Sequence, residues 1–429
     1  MSTFSSDFGR SLTIAPEKVV REGADGEIGD LMAAAAASGK DTAVRGAGRS
    51  CNTQTLASGT VLDNFREDAE PRFRGSETLG EHPGEHLVEV PSGITWYALE
   101  KWLNAHGRAN PVLPSYLNLT VGGTLSIGGF GHGSLRSGLQ IDQVEEIELV
   151  DGTGRSRTCS RRENSELFRF ALGGLGQVGF IRTALLRTVP YRAVTPVSRI
   201  PHTGISDLAE FMKGVAADPA VSGYFGMYDR TSWYSQIALA AEAPEAVEAA
   251  EPGTVLPAPD YTLLLHQEVD QHLVPVLQDE SRVNLWADYV FDEAGFEGIT
   301  KTLEELTRES PFADNLISLY FLVIKRPEAA VPFVFAPSLD TPVQYGIGVF
   351  TTIEKSDSHA VAETRRVLRE LLAACAQAKG RPYLYGSHEL DAELLEGFYG
   401  ADVLRRLEAL REEHALTRFN PRAFGGVRP

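Results

Sequence analysis

The chain has little of what staples or anchors a protein. Three cysteines in 429 residues, Cys51, Cys159 and Cys375, are odd in number and widely spaced. That argues against a disulfide framework and a thiolate metal site and leaves reduced thiols as the expectation, with no metal. No stretch reaches the roughly 20 apolar residues of a membrane helix, and Met1-Ser-Thr-Phe-Ser-Ser-Asp-Phe8 lacks the basic patch and apolar run of a secretory signal. Basic residues are in deficit too: 40 Lys and Arg stand against 58 Asp and Glu, a formal charge of −18. With no concentrated basic face for phosphates, nucleic acid is not an expected partner. These absences describe a soluble, cytoplasmic protein with no membrane association, and they leave its oligomeric state open.

Hydrophobic residues at 43% and charged residues at 23% are those of a globular chain, and the length calls for two packed units rather than one core. Near the amino terminus, residues 26–39 read as a helix stopped by glycine, followed by an extended Thr42-Ala-Val-Arg45. Residues 59–63 and 86–90 read as strands, and Ile94 to His106 has helical apolar spacing. Two strand-like runs, 143–150 and 178–186, precede Pro190. Beyond it come aromatic strand candidates at 224–228, 285–290 and 318–324, an Ala/Glu/Pro-rich stretch from Ala240 to Pro259 expected as a solvated loop, and helical patterns over 358–379 and 400–414. Strands and helices intermix, so the expected fold class is α+β.

Glycine is plentiful, 41 in all, and it clusters at Gly46-Ala-Gly48, at Gly122-Gly123 within residues 119–133, and at Gly173-Gly-Leu-Gly-Gln-Val-Gly179. Glycines at this density let consecutive backbone amides converge on an anion. Taken alone, Gly46-Ala-Gly48 reads either as an ordinary tight turn or as a phosphate loop; the three clusters together point to a phosphate-bearing ligand.

Several runs carry a resemblance: Val44-Arg-Gly-Ala-Gly-Arg-Ser50, Leu117-Asn-Leu-Thr-Val-Gly-Gly-Thr-Leu-Ser126, Arg136-Ser-Gly-Leu-Gln-Ile-Asp142, Cys159-Ser160 and Leu172-Gly-Gly-Leu-Gly-Gln-Val-Gly-Phe-Ile181. In these the chain resembles FAD-linked oxidoreductases of the vanillyl-alcohol-oxidase type, and among them the cytokinin dehydrogenases. The likeness is dense from 40 to 190, thin from 191 to 380, and returns near Tyr383 and Asn420-Pro421. It implies a two-subdomain PCMH-type FAD-binding domain over 1–190, an inserted α+β substrate domain over 191–380, and a return to the FAD-binding domain over 381–429. It further implies FAD as cofactor and hydride transfer from a small-molecule substrate to flavin N5. The implied cofactor contacts are Gly46, Ala47, Gly48, Arg49, Ser50, Ser115, Thr120, Gly122, Gly123, Ser126, Phe130, Ile181 and Tyr383.

Two positions depart from that pattern. Relatives reading Gly-x-Gly-His-Ser bond FAD covalently through the histidine, whereas Arg49 stands there in this chain. No cysteine lies near Ser115-Tyr116, where a second covalent anchor occurs in related families, so FAD is expected to be held non-covalently. Arg49 reads either as a solvated side chain or as a cation near the pyrophosphate or the flavin pyrimidine edge. Ser115 stands where cytokinin dehydrogenases have the aspartate that accepts the substrate amine's proton, and serine has no useful base strength near neutrality. It reads either as a ligand-orienting hydroxyl or as a partner of the local backbone.

Candidates for catalysis are therefore Ser115, His132, Tyr383 and Tyr385, with His388, Trp286, Asp288 and Tyr289 as further candidates. His132 reads either as a titrating imidazole or as a ring hydrogen-bonded within its loop. The expected function is FAD-dependent oxidation of a small organic molecule at a C–N or C–O centre. Two alternatives stay open: a flavin-dependent cyclase, desaturase or isomerase, and a binding protein that has lost its flavin.

Overall fold

The computed structural model describes residues 4–66, 68–74, 86–240, 254–259, 261, 266 and 278–426, and its fold is α+β. Strands β1 (Lys18–Arg21), β2 (Thr42–Arg45) and β3 (Thr60–Asp63) form a parallel sheet in the order β1-β3-β2. The helix Ile28–Ala37 covers this sheet, burying Ile28, Leu31, Met32 and Ala35 against Val20 and Leu62. A second, antiparallel sheet follows, built from β4 (Arg72–Phe73), β5 (His86–Pro91), β6 (Arg108–Ala109), β7 (Val144–Val150), β8 (Ser156–Ser160) and β9 (Phe180–Pro190). Its order is β4-β5-β9-β7-β8, with β6 paired to the end of β9. Thr95 caps the helix Trp96–Ala105 by accepting from the Ala98 amide at 3.2 Å.

The third sheet begins immediately after Pro190. It comprises β10 (Val194–His202), β11 (Val221–Tyr228), β12 (Trp233–Leu239), β13 (Val255–Pro259), β14 (Arg282–Phe291), β15 (Leu316–Lys325), β16 (Val343–Glu354) and β17 (Arg381–Tyr383). These eight strands are antiparallel in the order β13-β10-β12-β11-β15-β16-β14-β17. Helices Ile205–Ala217, Glu293–Leu306 and Ser358–Gln377 pack against it. The buried Tyr289 hydroxyl donates to the Leu368 carbonyl at 3.3 Å, which marks the helix-covered face of β14.

Three expectations need correction. Part of the Ala240–Pro259 stretch, 241–253, lies outside the described residues, but Val255–Pro259 is an edge strand rather than a solvated loop. Its prolines are tolerated because an outermost strand has a side with no partner to lose. The chain does not leave the third sheet at 381, since Arg381–Tyr383 hydrogen-bonds to β14. It rejoins the first sheet at Arg418–Asn420, where the Thr42 amide donates to the Arg418 carbonyl and the Asn420 amide to the Thr42 carbonyl. Strand β16 was not expected at all, because Gly346 and Gly348 break the apolar pattern that marks a strand.

One buried carboxyl shapes stability. Glu100 accepts from the amide and side chain of Asn110 at 3.0 and 2.7 Å, and burial pushes its pKa from 4.5 up to about 7. Between those values the folded chain keeps a proton that the unfolded chain has released, so this group's contribution to stability falls as pH rises through the window. Glu100→Gln should raise stability at pH 8 by on the order of 2–3 kcal/mol and flatten the dependence of Tm on pH from 5 to 8. An unchanged pH slope would contradict this assignment.

Candidate functional site

The chain's motifs converge on a cavity of about 410 Å³, within the range of roughly 300–1,000 Å³ usual for small-molecule sites. One wall is the loop that follows β2. Among the described residues, the amides of Gly46, Ala47, Gly48, Arg49 and Ser50 donate to no protein acceptor. Five neighbouring free donors suit an anion. Beneath the loop lies Arg45, whose Nη1 donates to the Ser6 carbonyl at 2.9 Å. Gly48 has φ +68°, and a Cβ there would collide with the Arg45 guanidinium, so only glycine fits without strain. A Cβ on Gly46 would likewise collide with Thr120.

The second glycine cluster works differently. The Gly122 amide donates to the Ser92 carbonyl at 2.8 Å and the Gly123 amide to Thr120 Oγ1 at 3.3 Å, so neither is available to a ligand. What these glycines provide is space, since a Cβ on Gly122 would lie 2.7 Å from the Ser92 Cβ. Ser126 Oγ is also engaged, donating to the Gly122 carbonyl at 2.7 Å. In this region the side-chain oxygen of buried Gln140, which also lines the cavity, has no hydrogen-bond partner. The free amides, the glycine-lined space and this unpaired acceptor fit a polar, phosphate-bearing cofactor with a flat ring.

The opposite wall is the eight-stranded sheet. Paired residues on neighbouring strands share a face, and the register aligns Tyr234, Met227, Tyr320, Gly348, Asp288 and Tyr383 in one row. Two residues further along, Ser318, Phe350 and Trp286 lie on the same face. Trp286 and Phe350 stack with centroids 4.3 Å apart, and Phe130 lies against Tyr383 at 4.3 Å. Among the described residues the wall is thus aromatic, with a single carboxyl, Asp288. Tyr385 donates to Asp288 Oδ2 at 2.7 Å, and burial raises the Asp288 pKa from 3.8 to about 7.

Ser115 lines the cavity and does not bond to the local backbone. Its hydroxyl bonds to the Tyr320 hydroxyl at 2.8 Å and lies 3.3 Å from His132 Nε2, while Tyr320 and His132 are 2.7 Å apart. The partners are therefore side chains from other segments and not the local backbone. His132 also bonds outside its loop and stacks on Phe225 at 4.6 Å. Burial lowers its pKa to about 3, so the ring is neutral at ordinary pH and does not titrate there. Arg49 is half-buried and engaged: Nη2 donates to the Tyr116 hydroxyl at 3.1 Å, and the guanidinium lies over the Phe8 and Tyr116 rings at 5.5 and 5.1 Å. Among the described lining residues, Arg49 and Asp288 are the formally charged side chains.

The cavity brings together Gly46, Ala47, Gly48, Arg49, Ser50, Ser115, Thr120, Gly122, Gly123, Ser126, Phe130, His132, Ile181, Tyr383, Tyr385, Trp286 and Asp288. Tyr289 and His388 lie outside it. Tyr289 alternates to the helix-covered face of β14, and buried His388 bonds to the Tyr383 carbonyl at 2.9 Å. Sequence reasoning missed Phe225, Met227 and Tyr320, whose strands were visible but whose inward face was not, and Tyr234 and Phe350, whose strands were not expected. It also missed Asn420 as a wall residue; the signal was its place in Phe419-Asn-Pro421. All three cysteines are buried and none lines the cavity.

A family model described as an FAD binding domain matches residues 16–160, the part of the chain that carries the Gly46–Ser50 loop and the Gly122-Gly123 cluster. The chain is also similar over part of its length to proteins named as cytokinin dehydrogenases and to one named as an oxidoreductase. The chain is 37% identical over 211 residues to cytokinin dehydrogenase 7 of Oryza sativa subsp. japonica, covering 49% of this chain and 39% of that protein. It is 35% identical over 198 residues to cytokinin dehydrogenase 2 of Arabidopsis thaliana, covering 45% and 38%. An uncharacterized oxidoreductase from the fasciation locus of Rhodococcoides fascians is 35% identical over 188 residues, covering 44% and 41%. The match therefore spans about two-fifths of each relative's length. Among the described residues no helix is long and apolar enough to cross a membrane.

Proposed function

We propose that the protein is an FAD-dependent oxidoreductase that binds its flavin non-covalently and oxidises a small organic molecule at a C–N or C–O centre. The observation that carries this reading is the run of five unpaired amides at Gly46–Ser50 facing an aromatic wall across one cavity. The amides would hold the FAD pyrophosphate, and Phe130 and Tyr383 would flank the flavin region. Bound FAD supplies a two-electron acceptor, with hydride passing from the substrate carbon to N5. The aromatic side chains exclude water and position the donor carbon.

Non-covalent attachment is supported by the chemistry of the wall. The Arg49 guanidinium cannot form the histidyl–flavin bond, no cysteine lines the cavity, and His132 already bonds Tyr320 through Nε2. Acid precipitation of the FAD-loaded protein should leave the yellow colour in the supernatant; colour retained in the pellet would contradict this part of the reading. Protein that takes up no flavin on incubation with FAD would instead favour a non-catalytic binding role. The absence of a base at Ser115 favours a second reading, in which the flavin serves a cyclisation, desaturation or isomerisation. Products isolated from a turnover mixture distinguish that chemistry from simple oxidation.

A further inference from the structure

Oxidation at a C–N or C–O centre releases a proton as well as a hydride, and the Ser115 cluster is poorly suited to take it. Ser115 is no base, His132 is held neutral with Nε2 against the Tyr320 hydroxyl, and burial raises the Tyr320 pKa above its ordinary value. The carboxyl on the opposite wall is better placed. We infer that Asp288 is the catalytic base that accepts the N–H or O–H proton of the substrate, with Tyr385 as its positioning residue. This rests on the oxidoreductase reading above.

Three observations support the assignment. The first is the state of the carboxyl: Oδ2 accepts from Tyr385 at 2.7 Å, while Oδ1 has no hydrogen-bond partner among the described residues. The second is Gly348, directly opposite Asp288 in the register. Glycine weakens a strand interior, yet here a Cβ would lie 2.6 Å from Asp288 Oδ1 and 2.8 Å from the Phe350 ring. The missing side chain leaves room for the free oxygen. The third is that no cation among the described residues acts on the carboxyl. The titratable groups acting on it or felt by it are Tyr385, Tyr383, Tyr320, Cys51 and Tyr289, and Arg49 is engaged with Tyr116. A buried carboxyl with no cation costs stability that asparagine would spare, and such groups concentrate at functional sites.

The substrate unit H–C–X–H, with X nitrogen or oxygen, loses hydride from carbon to the flavin and the proton from X to Asp288 Oδ1. A C=X double bond forms, and the neutral carboxyl later releases its proton to solvent. A base with a pKa near 7 both accepts and returns a proton at neutral pH.

The test uses the FAD-loaded protein with a panel of small amines and alcohols under anaerobic conditions, following the bleaching of oxidised flavin as a function of pH. Wild-type bleaching should rise with pH through about 7. Asp288→Asn should bind FAD as wild type does, bleach about 10²- to 10⁴-fold more slowly, and lose that rise. Tyr385→Phe removes a donor to the carboxylate and should move the rise to higher pH, a shift that a purely structural role would not produce. As a readout independent of turnover, ¹³C-carboxyl NMR of aspartate-labelled protein should show one resonance titrating near pH 7 that is missing from Asp288→Asn. Equal bleaching by wild type and Asp288→Asn with the same pH profile overturns the proposal alone. No bleaching of wild type by any member of the panel overturns the oxidoreductase reading and this proposal with it.

Discussion

Gly48→Val should weaken FAD binding by about 100-fold, equivalent to about 2.7 kcal/mol, in a protein that still folds. Gly48 sits at φ +68°, where a β-branched residue is strained, and its Cβ would collide with the Arg45 guanidinium. Arg45 cannot easily yield, because it is tied to the Ser6 carbonyl and near Thr55 Oγ1. The loop would have to move instead, displacing its five free amides from the cavity wall. The strain should cost roughly 1–3 kcal/mol of stability. Quenching of flavin fluorescence on titration of apo-protein measures the affinity, and thermal unfolding shows that the variant is folded. A folded Gly48→Val with wild-type affinity would remove the Gly46–Ser50 loop from the cofactor site.

Asn420→Ala should lower both stability and FAD affinity, although Asn420 is distant in sequence from every flavin motif. Its Oδ1 accepts from the Val44 amide and its Nδ2 donates to the Gly176 carbonyl, both at 2.9 Å. It also stands at φ +42°, which asparagine tolerates better than alanine. The residue thereby joins β2, just before the amide loop, to the third glycine cluster. Alanine leaves two half-buried backbone groups unpaired, at about 1–2 kcal/mol each. We expect a loss of about 3 kcal/mol in chemical denaturation and about a tenfold weaker FAD complex. Asn420→Asp, which keeps one acceptor, should fall between alanine and wild type. If alanine were neutral in both measurements, the carboxy-terminal segment would not support the cradle.

The contrast between these residues shows what the sequence reveals. Gly46, Gly48 and the clusters at 122–123 and 173–179 are legible because glycine density has a local meaning, the close approach of backbone to a ligand. Local pattern cannot distinguish Gly46–Ser50, whose amides are free, from Gly122-Gly123, whose amides are committed to Ser92 and Thr120. Trp286, Asp288 and Tyr289 stood as equal candidates, because alternation identifies two faces of a strand without saying which one is the ligand's. Pairing of β14 with β16 and β17 assigns Trp286 and Asp288 to the cavity and Tyr289 to the helices. The strand β16 was hidden by Gly348, the very residue that makes room for the Asp288 carboxyl. Arg49 was legible as a lost covalent anchor, but its seat between Phe8 and Tyr116 depends on an amino-terminal segment whose course no local pattern dictates.

The most direct test is anaerobic mixing of the FAD-loaded protein with small amines and alcohols while the flavin absorption is recorded. The account predicts that at least one of them bleaches the oxidised flavin bands, that oxygen or an artificial acceptor restores them, and that an imine- or carbonyl-derived product accumulates in proportion. Bound flavin that stays fully oxidised across the whole panel, in protein shown to be folded and saturated with FAD, would contradict it.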